Sequence, residues 1–201
     1  MLQSARAPAS SGMSKTILTS EPTRRGMREG KPRRRPTVNR FTLFIRGARL
    51  EPMPEVIPIG ADHAGFELKQ RLVKELESLG FQPLDLGAYS AESVDYPEFA
   101  HQVAERVARG ENPRGVLLCG TGLGMSYAAN RYHGVRAAVA WSPEIAHLAR
   151  EHGDANVLVL PARFLNEEQG VAVLKEWLNT PFAGGRHARR IAQIEETGPD
   201  A

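Results

Sequence analysis

The chain has 201 residues, with 26 Lys+Arg against 23 Asp+Glu and a single cysteine, enough for one domain with a real core. One cysteine excludes an internal disulfide and suits a reducing cytoplasm, and no apolar stretch has the length of a membrane span. The net charge of +3 hides a split between 12 Lys+Arg and 3 Asp+Glu in residues 1–52 and 14 and 20 in residues 53–201, so the folded part is acidic and is no obvious nucleic-acid binder.

Residues 1–40 are rich in Ser, Pro, Gly and Arg and show neither helical nor strand period. Gly30-Lys31-Pro32-Arg33-Arg34-Arg35-Pro36 is basic and cannot be a helix, so the segment reads as disordered. Phe41 to Ile45 is apolar but lacks the position and flanks of a secretory signal. Three readings of the tail are open: an arm for anionic polymers, a transit peptide, or an upstream extension of a chain whose translation starts at Met53. The third is the expectation, because Met53 stands directly before the first strand.

From there the elements alternate. Val56 to Gly60 reads as a strand, with Pro58 an awkward member because it cannot donate to a ladder. Leu68, Leu72, Leu76 and Leu79 recur at helical spacing from about Gly65, and Gly80 stops them. Phe81 to Leu86 is a second strand. Pro97 opens a helix carrying Ala100, Val103, Ala104 and Val107, closed by Gly110. Gly115 to Leu118 is a third strand, followed by a glycine turn and a third helix. Val135 to Ala140 is a fourth strand; Ser142 caps a helix with Pro143 at its first position. Asn156 to Leu160 is a fifth strand. Asn166 and Gln169 resemble a capping box for a helix to about Asn179, and a last helix carries Arg186, Arg190, Ile191 and Ile194.

This order predicts an α/β domain over residues 53–201: a doubly wound, Rossmann-like, five-stranded parallel sheet in three α/β/α layers. The strands are near-continuously apolar, as strands covered on both faces must be.

Cys119-Gly120-Thr121-Gly122-Leu123-Gly124 joins the lone thiol to a glycine turn where a strand hands over to a helix. Open α/β sheets place ligands at that edge, and backbone N–H groups there favour an anion. A dinucleotide fingerprint fails, since its third glycine would fall at Met125 and no acidic residue ends the fourth strand. Free cysteines are often plain buried hydrophobes, but three alternating glycines beside this one suggest close backbone approach to a ligand.

Asp62 and His63 follow the first strand at the same edge, and Asp95-Tyr96-Pro97 precedes the second helix there; taken singly these are an ordinary cap, a surface residue and a helix start. His152 stands at the far end of the fourth helix, by default a partner for its dipole, and within its own chain it belongs to the wrong edge of the sheet. Arg186 and Arg190, four apart, form either a solvated face or a phosphate clamp. No metal-ligand spacing and no Ser-His-Asp signature occurs.

These residues, with Ala129-Asn130, Gly134-Val135-Arg136-Ala137, His152-Gly153-Asp154-Ala155-Asn156-Val157 and Gly185-Arg186-His187, resemble ribose-5-phosphate isomerase B, a family that includes the galactose-6-phosphate isomerase subunits. The resemblance runs over about residues 55–197. It implies an enzyme that interconverts D-ribose 5-phosphate and D-ribulose 5-phosphate without metal or cofactor, as a homodimer or tetramer with shared active sites. It implies Cys119 as the general base, Thr121 beside it, and His152 as proton donor in ring opening. Asp62, His63, Tyr96, Gly120, Gly122, Leu123, Gly124 and Gly153 match substrate positions, and Arg163, Arg186 and Arg190 match phosphate-holding arginines. Where some members carry a glutamate base this chain has Met125, so it follows the cysteine variant. The family's asparagine after the histidine is Gly153 here, and the turn before Arg163 reads Leu160-Pro161-Ala162 instead of a more glycine-rich one. The Gly153 difference leaves open an isomerase of a four- or six-carbon aldose phosphate; a separate reading is a non-catalytic sugar-phosphate sensor that uses the same site, with the basic tail as a partner-binding arm.

Overall fold

The computed structural model describes residues 53–196; the expected basic tail over 1–52 lies outside the described residues, as do 197–201. Five parallel strands form one sheet in the order β2-β1-β3-β5-β4, with β1 Val56–Ala61, β2 Gln82–Asp85, β3 Gly115–Cys119, β4 Ala137–Val139 and β5 Val157–Pro161. Six α-helices connect and flank them: α1 Phe66–Ser78, α2 Tyr96–Ala108, α3 Leu123–Ala129, α4 Pro143–Gly153, α5 Glu167–Asn179 and α6 Arg186–Glu196. A 3-10 turn, Ala162–Phe164, follows β5.

The strands sort their side chains with period two. Val116, Leu118, Leu158 and Leu160 face a core built with Leu68, Leu72 and Leu76 of α1, Ala146 of α4 and Val173, Leu174 and Trp177 of α5. Leu117, Cys119, Val157 and Val159 face the other core, with Ala100, Val103, Ala104 and Val107 of α2 and Met125 and Ala129 of α3. Each fully buried Leu or Val contributes about 1.5–3 kcal/mol relative to exposure, so the sheet's central strands anchor both layers. α6 has no buried residue of its own.

Pro58 sits in β1, which pairs with both β2 and β3. The carbonyl of the next residue, Ile59, accepts from Leu86 on the β2 side, so the missing N–H of Pro58 falls on the β3 side. The β1–β3 register starts one residue later, at Ile59↔Val116, and no ladder bond is lost. β4 is shorter than the expected Val135 to Ala140. Its approach is tied by other groups: the Val135 N–H bonds the Tyr132 carbonyl, and the Asn156 and Asn130 side chains take the N–H groups of Arg136 and Ala137 at 2.8 Å each.

The chain leaves β1 toward β2 on one side and returns to β3 on the other. The carboxyl ends of β1 and β3 therefore flank a topological switch point, the crevice where such sheets bind ligands. The Asp62 N–H donates to the Leu118 carbonyl at 3.1 Å across it.

Candidate active site

Asp62, His63, Tyr96, Cys119, Gly120, Thr121, Gly124, Tyr127 and Arg163 line a cavity of about 350 Å³ at that crevice. Cys119 ends β3 with 4% of its surface exposed, and its Sγ accepts a hydrogen bond from the Gly122 N–H at 3.1 Å. Asp62 Oδ1 accepts from the N–H groups of Ala64 and Gly65 at 2.9 and 3.0 Å, which shapes the turn into α1. His63 Nδ1 accepts from the Val94 N–H at 3.3 Å, which leaves its Nε2 as the donor of the neutral ring.

Each glycine of the turn has a different reason to lack a side chain. A Cβ on Gly120 would lie 3.0 Å from Arg163 Nε, and one on Gly124 would lie 2.5 Å from the Tyr96 ring. Gly122 holds φ at +77°, a left-handed conformation that favours glycine. The close approaches in this chain are thus made by Arg163 and Tyr96, which the glycines admit beside the thiol. α3 starts at Leu123, so Gly124 is already helical. Thr121 Oγ1 accepts from the Leu123 N–H at 3.4 Å, and Leu123 is half exposed.

The other candidate residues lie elsewhere. His152 and Gly153 end α4 and line, with Arg190, Ile191, Ile194 and the segment from Asn130 to Ala138, an open groove of about 1110 Å³. α4 runs back from the end of β4 to the start of β5, so this groove belongs to the opposite edge of the sheet from Cys119. The His152 ring stacks on His187 of α6, centroids 4.2 Å apart and planes within 3°. Burial holds His187 below its ordinary range, and charge on His152, Arg186 and Arg190 pushes the same way. Arg186 Nε lies 3.4 Å from His187 Nε2.

Arg163 therefore stands apart from Arg186 and Arg190. The register Cys119↔Pro161 and the bond from the Arg163 N–H to the Gly120 carbonyl at 3.1 Å bring it to the thiol. Tyr127, which the sequence reading passed over, lines the same cavity from one turn into α3; its signal was helical spacing from Leu123. Arg136 was also missed as a scaffold residue. Its guanidinium donates to the Gly153 and Asp154 carbonyls at 3.1 Å each and to Asp154 Oδ2 at 3.0 Å, and it reaches Glu195 of α6 at 3.5 Å. It fixes the end of α4, where Asp154 adopts φ +44°.

Among the described residues no three His, Cys, Asp or Glu side chains are arranged to hold a metal ion, and no helix is long and apolar enough to cross a membrane.

Residues 57–194 match the family profile described as Ribose/Galactose Isomerase. The chain is 44% identical over 138 residues to ribose-5-phosphate isomerase B of Escherichia coli, an alignment spanning 69% of this chain and 93% of that one. A solved ribose 5-phosphate isomerase from Thermotoga maritima is similar at 50% identity and a TM-score of 0.69, over 71% of this chain and 99% of the other. Ribose-5-phosphate isomerase B from Mycoplasma genitalium, solved with bound ribulose-5-phosphate, is similar at 40% identity and a TM-score of 0.69, over 73% of this chain and 100% of that one.

Proposed function

The chain belongs to the Ribose/Galactose Isomerase family, and we propose that two copies of it build each active site for its reaction, the interconversion of ribose 5-phosphate and ribulose 5-phosphate. The observation that carries this is the separation of the candidate residues into two cavities at opposite edges of one sheet, each chemically incomplete. One holds a base, a carboxylate and backbone donors; the other holds an imidazole and arginines. A two-fold homodimer brings unlike edges of two copies together. Tyr127, Trp141, Phe164 and Ile194, each more than half exposed, supply apolar surface for such a contact.

In this site the partner's Arg186 and Arg190 grip the phosphate with their guanidinium forks, and Arg163 closes on it from the Cys119 side. That binding energy positions the sugar. The partner's His152, as imidazolium, gives its proton to the furanose ring oxygen as the bond from that oxygen to C1 breaks. The C1 hydroxyl proton passes to Asp62, whose carboxylate is the one lining the Cys119 cavity, and an open-chain aldehyde results.

Cys119, as thiolate, then takes the proton from C2, and the electron pair moves into a C1–C2 double bond with negative charge on the C1 oxygen. Backbone N–H groups of the turn from Gly120 to Gly124 face that oxyanion, with the Thr121 hydroxyl beside it. The C2 hydroxyl proton then passes by way of Asp62 to the C1 oxygen while the Cys119 thiol returns its proton to the C1 carbon, and the electron pair of the C1–C2 double bond becomes the new C1–H bond of the ketose. His63 and Tyr96 bound the sugar, and Leu123 and the partner's Gly153 lie along its path.

Mixing two inactive variants tests the shared site. Cys119→Ala and His152→Asn are each expected to lose roughly 10²- to 10⁴-fold in kcat. Refolded together, they should regain about a quarter of wild-type activity, because half the dimers are mixed and each carries one intact site. No recovery in verified mixed dimers would place the whole site in one chain. Undiminished turnover in Cys119→Ala would remove it as the base.

A further inference from the structure

His152 does not stand alone in its groove. Glu151 Oε2 lies 3.1 Å from His152 Nε2 and 3.6 Å from His147 Nε2, so one carboxylate oxygen sits between two imidazoles. On its other side the His147 ring is anchored: its Nδ1 is 2.8 Å from Glu176 Oε1 and 3.2 Å from Thr180 Oγ1. The Thr180 hydroxyl donates in turn to the Glu176 carbonyl at 2.8 Å, and Thr180 is buried. The Glu151 backbone is held too, its carbonyl accepting from the Ala183 N–H at 3.0 Å. The line of contacts runs from α5 across the face of α4 and ends on the ring that stacks against His187.

From this arrangement we propose that Glu151 is a positioning residue for His152: it fixes the ring and stabilises its imidazolium, and His147 and Glu176 hold Glu151 in place. The proposal rests on the reading of His152 as the acid in ring opening. An imidazole that donates a proton must first carry two. Arg186 and Arg190, on the helix that stacks against it, oppose that second charge, and a carboxylate 3.1 Å from Nε2 offsets them. Pairing at Nε2 also leaves Nδ1 as the nitrogen that gives its proton to the sugar. The neighbours keep the charges in the right places. Hydrogen bonds from His147 and Thr180 hold the Glu176 carboxyl below its usual range. Burial and the nearby cations hold His187 below its ordinary range, which opposes a second positive charge on the ring stacked against His152.

The two directions of the reaction separate this role from a general one. Ribose 5-phosphate enters as a furanose and needs ring opening. Ribulose 5-phosphate has its 5-hydroxyl esterified, is open-chain, and exchanges its C1 hydrogen in heavy water through the enediolate without ring chemistry. In the full-length chain, Glu151→Gln is expected to lower kcat for ribose 5-phosphate about tenfold with KM little changed, while C1 exchange on ribulose 5-phosphate keeps its wild-type rate. His152→Asn, run beside it, should lose more in the first assay and equally little in the second. Full activity of Glu151→Gln alongside a crippled His152→Asn would overturn the positioning role and leave the acid intact. An equal loss in both assays would reduce Glu151 to a structural residue and also overturn it. Full activity of both variants would sink the proposal together with the reading of His152 beneath it. Glu151 is half-buried on the surface of α4, and a circular dichroism melt checks that the isosteric variant folds.

Discussion

Gly122 turns its N–H onto the sulfur of Cys119 at 3.1 Å, and it can do so because its backbone is left-handed, φ +77°. A side chain there faces two penalties. The left-handed conformation costs about 1–2 kcal/mol for a residue with a Cβ, and that Cβ would lie 2.9 Å from Val139 Cγ1. Gly122→Ala is expected to lower stability by about 1–3 kcal/mol and kcat about tenfold or more as the donor swings off the sulfur. Chemical denaturation and steady-state kinetics read the two effects separately. A stable variant with full kcat would show that the N–H contact has no part in the reaction.

The fully buried Lys69 pairs with Asp85 at the end of β2 and also lies 5.3 Å from the Tyr89 ring centroid. Asp85 Oδ1 additionally accepts from the Gly87 N–H at 2.9 Å, so the pair ties α1 to the loop after β2. Removing one partner strands a charge in the interior. Asp85→Asn should therefore cost about 3 kcal/mol, whereas Lys69→Met combined with Asp85→Asn should cost markedly less because no buried charge is left over. Thermal melts of the single and double variants decide; additive losses would contradict the argument.

His187 sets a direction for stability against pH. Its folded-state pKa lies below the ordinary 6.5, through burial first and then through the charges of His152, Arg186 and Arg190, with Glu151 acting the other way. Below 6.5 the unfolded chain then binds more protons than the folded one, so this residue's contribution is present above that pH and is lost as pH falls. His187→Gln should flatten the acid side of the stability profile while leaving the neutral side in place. Melting temperatures taken on both sides of 6.5 test it; parallel profiles for the two proteins would refute it.

Gly153 closes α4, and a Cβ built on it meets nothing within 4 Å. Gly153→Asn should fold normally, within about 0.5 kcal/mol of wild type. The amide enters the groove beside His152, where one new hydrogen bond to a sugar hydroxyl would change KM about two- to tenfold. Comparing KM for four-, five- and six-carbon aldose phosphates shows which sugar gains. Identical constants for every sugar would mean that position 153 does not touch substrate.

The order of elements was legible because each strand and helix states its period locally: Leu68, Leu72 and Leu76 repeat at helical spacing, and β3 and β5 are continuous apolar runs. Ends were less legible. β4 contracts to Ala137–Val139, with the Asn156 and Asn130 side chains, 20 and 7 residues away, taking the N–H groups of Arg136 and Ala137 at its start, and no strand period encodes that. The same holds for the site. Cys119 with Asp62 could be placed at one edge from strand direction alone. Grouping Arg163 with Arg186 and Arg190 came from the family resemblance, whereas its place beside the thiol comes from the pairing of β5 with β3. The line from Glu176 through His147 to Glu151 joins α5 to α4 across 29 residues, a packing relation that neither helix announces by itself.

The placement of Cys119 and His152 at opposite ends of one sheet has a consequence for how such an enzyme is measured. If each site takes one half from each of two chains, specific activity obeys mass action between them. It should fall on dilution below the dissociation constant of the pair, recover when protein or substrate phosphate is added, and show a lag after a dilution jump. Assays run at a single low enzyme concentration would then report an association equilibrium as though it were a turnover number.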